Sequence, residues 1–247
     1  MTEKKTPVDP SDVRIDFTCG HYPAVPDEPM DFCRFVGGTI SLYDEADAGV
    51  MEDPREIGSI SLFDVRLDLA HEYQCSSFDV LDSVSQDTAA FLPLLEEDGW
   101  TDLVRKRCEP YSDDLVIIDR VKIEEPYRGR GIGLLAVRHA LEIYGHHLGV
   151  AALIPFPLQF GGSNDPEFEL PPGVTDKEQA RDSALAKLRA HWSRLGFRQF
   201  DNTEINIRGM SRRLPDPKIL LKPPPPTPIS AARTVGRCVP RRHRRNG

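Results

Sequence analysis

Ile123-Glu124-Glu125-Pro126-Tyr127-Arg128-Gly129-Arg130-Gly131-Ile132-Gly133 is the stretch that decides how this chain is read. It joins a run from Asp114 to Ile123 to an amphipathic one from Ile132 to Tyr144. Leu115, Val116, Ile117 and Ile118 are apolar at consecutive positions, the mark of a strand buried on both faces in the middle of a sheet. Leu134, Val137, Leu141 and Tyr144 recur at helical spacing, and Gly145 is placed to end that helix as its C′ residue. Glycines at 129, 131 and 133 let the backbone bend sharply and admit a ligand where Cβ atoms would stand in the way. The first amides of the following helix have no acceptor inside it and lie at its positive end. With Arg128 and Arg130, the turn therefore offers a concave set of donors for phosphate oxygens.

Two other glycine-rich loops are tested against this spacing. A dinucleotide fingerprint needs G-x-G-x-x-G, and Gly129, Gly131 and Gly133 fail it at the third position. A Walker loop needs Lys-Ser or Lys-Thr after its last glycine, and neither follows.

Outward from the turn, Val13 to Cys19, Arg34 to Tyr43 and Glu56 to Leu69 read as strands. In the last, Ile57, Ser59, Ser61 and Phe63 alternate against Gly58, Ile60, Leu62 and Asp64. The acid-rich stretch from Tyr43 to Arg55 reads as a solvated loop. Between Ser77 and Asp98 the period becomes helical, with Pro93 limiting or kinking the helix. Val150 to Phe160 reads as a strand whose Pro155 and Pro157 lack N–H groups on one edge, so that edge should part from its neighbour. Gly161 to Thr175 is a loop, Asp176 is placed to cap a helix reaching about Leu195, and Phe197 to Ile207 reads as a last strand. Residues 1–12 read as a loose terminus. From Pro215 the chain turns to proline and then arginine, a composition that reads as disordered.

The whole string from Ile123 to Gly133 resembles the acyl-CoA-binding motif of the GNAT acetyltransferase superfamily, R/Q-x-x-G-x-G/A, with Arg128, Gly131 and Gly133 at its defining positions. Ala190-His191-Trp192-Ser193-Arg194-Leu195-Gly196-Phe197 is similar to the family's helix-end pattern, and the two matches stand in the family's order. The resemblance is specific over about residues 115 to 200. It implies an α/β (α+β) domain over 13–214, with a mixed, mostly antiparallel sheet flanked by helices and splayed between the motif strand and the next. It implies acetyl-CoA as co-substrate, its diphosphate held by Arg128, Gly129, Arg130, Gly131, Ile132 and Gly133 and its pantetheine arm by backbone groups of Val121 and Ile123. The expected activity is acetyl transfer to a primary amine by direct attack on the thioester, with the Ile123 amide holding the carbonyl oxygen.

A base is also required, and Asp119 is the candidate, because strand parity sets it on the face of Val121 and Ile123. A salt bridge or an exposed strand position is the simpler explanation of Asp119. Glu124 and Glu125 read more simply as solvated acids. The sequence departs from the family where a tyrosine often serves as acid for the leaving thiolate, since Trp192 stands there. Water, Tyr127 or His191 are the substitutes, and the alternative is a non-catalytic acyl-CoA sensor or scaffold. The stretch 77–98 and the Gly161 to Thr175 loop read as a wall over the acceptor side, with Asp165, Glu167 and Glu169 placed to attract a cationic amine. The nature of that amine, small molecule or protein, is not legible.

Composition bounds the rest. The chain has 247 residues, enough for a core without disulfide or metal staples. Its five cysteines form no CxxC pair, and no metal site is expected. Of the 31 Lys and Arg residues, seven lie at 222–247 without an acid; the other 24 face 39 acidic groups, a net −15 over residues 1–221. An acidic body argues against nucleic acid as a partner, and a second rival reading confines RNA or membrane binding to the arginine tail. No apolar run of membrane-spanning length occurs, and the first residues lack the apolar stretch of a secretory signal. The expectation is a cytoplasmic enzyme, monomer or homodimer.

Overall fold

The computed structural model of the chain describes residues 8–20, 28–43, 54–97, 99–145, 149–157 and 176–222. Strands β1 (Val13–Cys19), β2 (Cys33–Leu42) and β3 (Arg55–Val65) form an antiparallel meander. After it come helices α1 (Leu67–Glu72), α2 (Ser77–Val84) and α3 (Gln86–Ala89), a hairpin of β4 (Leu95–Glu96) and β5 (Gly99–Trp100), and α4 (Asp102–Cys108). Strand β6 (Leu115–Ile123), helix α5 (Ile132–Tyr144) and strand β7 (Val150–Leu153) follow as one parallel crossover. The chain then runs through α6 (Lys177–Ser193), β8 (Arg198–Gln199), β9 (Asn206–Gly209) and α7 (Pro217–Leu220). The main sheet has seven strands in the order β1-β2-β3-β6-β7-β9-β8, and only β6 and β7 pair in parallel. The fold is of the α+β class, with helices on both sheet faces.

The start of β6 explains the two cores. Val116 and Ile118 pack with Ile132, Val137, Leu141 and Phe197 on one face, whereas Leu115 and Ile117 pack with Leu67, Leu81, Trp100 and Val104 on the other. A strand that feeds both cores has to be apolar at successive residues, as this one is.

Two bulges change the phase of the strands. Ile40 pairs with Gly58 but Ser41 with Glu56, which leaves Ile57 as an extra residue. Ile57 consequently shares the α5 core with Ile60 and Leu62 instead of alternating against them. On β6, Ile118 pairs with Leu62 and Arg120 with Ser61, which leaves Asp119 over.

Several expected boundaries move. The strand from Glu56 ends at Val65, because Asp68 and Asp113–Asp114 exchange backbone-to-carboxylate hydrogen bonds at 3.1 Å that turn the chain into α1. The helical stretch 77–98 is broken at Ser85, whose extended backbone lets its hydroxyl accept the Thr88 N–H and start α3. Pro93 sits in a 3-10 turn ahead of β4. Phe197 to Ile207 is a hairpin and not one strand, closed by Phe200 N–H to Ile205 C=O at 2.8 Å with Asp201 left-handed. Gly145 has φ −80°, so it is no left-handed cap; its small size leaves room for the Met210 methyl.

The Pro215–Lys222 stretch, expected to belong to a disordered tail, is an ordered strap. Asp216 caps α7 by accepting the Lys218 N–H, and Leu220 is fully buried in the α5 core. Arg194 donates to the carbonyls of Ile219, Leu220 and Lys222 at 2.7–2.9 Å, and Arg138 Nε donates to Pro215 O at 2.7 Å. The remainder of the expected tail, 223–247, lies outside the described residues, as do most of the loose terminus and of the acid-rich loop at 44–53. Among the described residues no helix is long and apolar enough to cross a membrane.

Candidate active site

Pairing between β6 and β7 stops at Ile118 and Leu153. Pro155 and Pro157 follow in a segment that belongs to no strand, and residues 158–160 of the expected strand lie outside the described residues. Among the described residues, nothing pairs with Asp119 to Ile123 on that side of β6. Glu124 N–H is given to Ile57 C=O at 2.8 Å on the β3 side. Because alternate residues of a ladder turn their backbone groups the same way, Val121 and Ile123 turn theirs toward the open side. The Ile123 carbonyl accepts Arg128 Nε at 2.8 Å, which folds the guanidinium back onto the strand end.

Beyond a 3-10 turn at Glu125–Tyr127, Gly129 and Gly131 take φ of +78° and +83°, the left-handed region that glycine enters at least cost. Gly131 is the N-cap of α5 and provides no side-chain cap, so the amides of its first turn have no side-chain acceptor there. Gly133 has an ordinary φ and room for a methyl group against Val121. Arg128 and Gly129 are exposed, Arg130 and Gly133 half-buried, and Ile132 buried. Gly131 is buried beneath the strap, whose Leu220 carbonyl lies where its Cβ would be. The turn is thus walled on one side and open on the other. Arg130 and Arg55 both stack on the Tyr127 ring, 5.5 and 5.7 Å from its centroid.

Asp119 does not share the face of Val121 and Ile123. Those two pack toward α5, whereas the bulge turns Asp119 and Arg120 together to the opposite face. There Asp119 is exposed and accepts the Ser61 hydroxyl at 2.6 Å. Glu124 and Glu125 are exposed at the strand end. Asp165, Glu167 and Glu169 lie outside the described residues.

His191 and Trp192 meet edge to face at 5.1 Å beside the α5 core. Burial, with Arg194 adding, holds the His191 imidazole down to about 4, so it is neutral at pH 7 and no proton donor there. At the far end of β6 a cavity of about 690 Å³ is lined by Arg34, Asp64, Arg66, Asp68, Asp114 and Tyr144. Nearby, Asp68, His71 and Asp113 bring possible ligand atoms within 4.8 Å of one another, a grouping of residues distant in sequence that no local spacing announces.

Burial pushes Asp114 up to about 6, and His191 has a pH consequence of opposite sign. Folded His191 binds fewer protons than the unfolded chain between about 4 and 6.5, so its contribution is lost as pH falls through that window. Folded Asp114 binds more protons, so its contribution is present at low pH and lost as pH rises through about 6. His191→Gln should therefore flatten the acid loss of stability by about 2 kcal/mol between pH 7 and 4.5. Urea melts at the two pH values measure it, and an unchanged slope would place the imidazole in water.

No family model matches the chain, and no curated protein matches it. Among solved structures, the crystal structure of a point mutant of KacT aligns over 73% of this chain and 72% of that one, at 14% identity and a TM-score of 0.35. A likeness of that size carries no argument.

Proposed function

We propose that this chain is an acetyl-CoA-dependent N-acetyltransferase with a GNAT-like sheet, parted between β6 and β7 to admit the thioester. One observation carries the reading: a helix whose first turn lacks a side-chain cap, entered through two left-handed glycines, stands directly beyond a strand with an edge unpaired among the described residues. The first feature suits a diphosphate, and the second suits an amide-bearing arm that can pair as a strand would.

In this reading the amides of Ile132 and Gly133, with Arg128 and Arg130, face the diphosphate. Ile123, nearest the turn, pairs with the pantetheine arm, and the Val121 N–H, further along the open edge toward Asp119, takes the place expected of Ile123 and donates to the acetyl carbonyl oxygen. The acetyl group then lies along the edge of β6, in the plane of the sheet and within reach from either face. Asp119 receives a proton from the entering ammonium. The amine nitrogen forms the new bond to the carbonyl carbon as the carbon–sulfur bond breaks, and the proton shed by nitrogen ends on the thiolate through water. Neutral His191 and the indole of Trp192 supply no acid, an observation that favours the second reading, an acyl-CoA-binding domain without turnover.

Gly129→Asp is the test. A side chain here meets nothing within 4 Å, and aspartate tolerates the left-handed region better than most residues. Its carboxylate would face the diphosphate, so calorimetry should show CoA affinity falling about 30-fold or more with little change in melting temperature. Unchanged affinity, or no CoA binding by the parent chain, would refute the assignment. Binding with no acetylated product across an amine panel would select the second reading.

A further inference from the structure

We infer that the acceptor is an α-amino acid with an apolar or aromatic side chain, held through both of its charges; the inference rests on the acetyl-transfer reading above. The β6 bulge sets two consecutive residues of opposite charge, Asp119 and Arg120, on one sheet face opposite the single residue Ser61. Both are exposed, and neither is in an ion pair among the described residues. Among the described residues the only side-chain hydrogen bond of the pair is from Ser61 to Asp119. A carboxylate and a guanidinium side by side match the ammonium and carboxylate of a zwitterion, and the guanidinium fork suits a carboxylate in particular.

The same face supplies an apolar contact. Phe35 pairs across strands with Phe63, two residues along β3 from Ser61, and their rings meet edge to face at 5.4 Å. Phe35 is 53% exposed, although a large aromatic on a sheet face normally finds cover. On the other side of Ser61 from the charges, beside Phe35, lies Gly37, its partner on β2, where an added Cβ would touch only the Phe35 ring at 3.8 Å. The face therefore offers a trough with an aromatic wall at one end and two opposite charges at the other. Those charges stand on the unpaired part of β6, beside the edge assigned to the acetyl group, so an ammonium on Asp119 is placed next to the thioester.

The experiment compares three acceptors with the full chain and acetyl-CoA: L-phenylalanine, 2-phenylethylamine, which lacks the carboxylate, and L-alanine, which lacks the ring. L-phenylalanine should exceed each of the others about tenfold or more in kcat/KM. Arg120→Gln should erase its advantage over 2-phenylethylamine, and Gly37→Leu, which fills the trough, its advantage over L-alanine. Both variants should keep CoA affinity within about twofold, since neither touches the glycine turn. A chain that binds acetyl-CoA but treats the three acceptors alike would overturn this inference and leave acetyl transfer standing. If acetyl-CoA is not bound, calorimetric titration with L-phenylalanine alone decides: heat that Gly37→Leu abolishes supports the amino-acid site, and no heat removes it.

Discussion

Ending the chain after Leu214 is expected to lower its unfolding free energy by about 4 to 6 kcal/mol, whereas ending it after Lys222 should change it by less than about 1 kcal/mol. The difference lies in eight residues. Leu220 is fully buried in the α5 core, and emptying such a site costs about 2 to 5 kcal/mol. Arg194 and Arg138 also lose carbonyl acceptors, and each partly sheltered guanidinium must find water instead. Residues 223–247 hold too few apolar side chains to replace what the strap buries. Urea melts of the two truncated chains against the full one measure this. Equal stability of all three would mean that Leu220 adds nothing to the core.

Gly131→Ala is the second large effect, expected to cost about 3 to 5 kcal/mol and to remove CoA binding with it. Two penalties coincide at this residue. A φ of +83° costs an alanine about 1 to 2 kcal/mol, and its methyl would collide with the Leu220 carbonyl, a backbone atom that cannot rotate away. The neighbouring glycines separate these causes. Gly129→Ala meets only the conformational penalty, and Gly133→Ala meets neither and should be neutral or stabilising by about 0.5 to 1 kcal/mol. Thermal melts of the three variants should rank them in that order. A Gly131→Ala no worse than Gly129→Ala would show that the strap yields easily.

The order of those costs also explains what could be read from the chain alone. Strand β1 and helix α5 were legible because their apolar residues follow one period from end to end, and the start of β6 because four apolar residues stand in succession. The turn between β6 and α5 was legible because three glycines in five residues have few structural uses. The strap was not, since proline content outweighed its signals, although Asp216-Pro217 is a helix-start pair and Ile219-Leu220-Leu221 an apolar triplet. The short helix at Leu67 was hidden because what ends β3 and starts the helix lies in Asp113 and Asp114, more than forty residues away.

Asp119 marks the limit of parity as a guide. Counting by twos along β6 sets it with Val121 and Ile123, and only the partner strand reveals the extra residue. Nothing local distinguishes a bulged strand from a regular one, because the bulge is a property of the pairing. The candidate site residues at the turn were found by composition. Arg120, Ser61, Phe35 and Phe63 carry no local pattern that announces that the fold joins them.

The displaced phase of β6 rests on its one extra residue. Before the bulge the even positions, Val116 and Ile118, fill the α5 core; after it the odd positions, Val121 and Ile123, do so. Pairing all nine residues of β6 in unbroken alternation, without the bulge, would exchange inside for outside along the last three positions. Lys122 would point into hydrocarbon, and two aliphatic side chains would face water. The irregularity is what allows one strand to serve as the centre of a core at one end and as the margin of an open groove at the other.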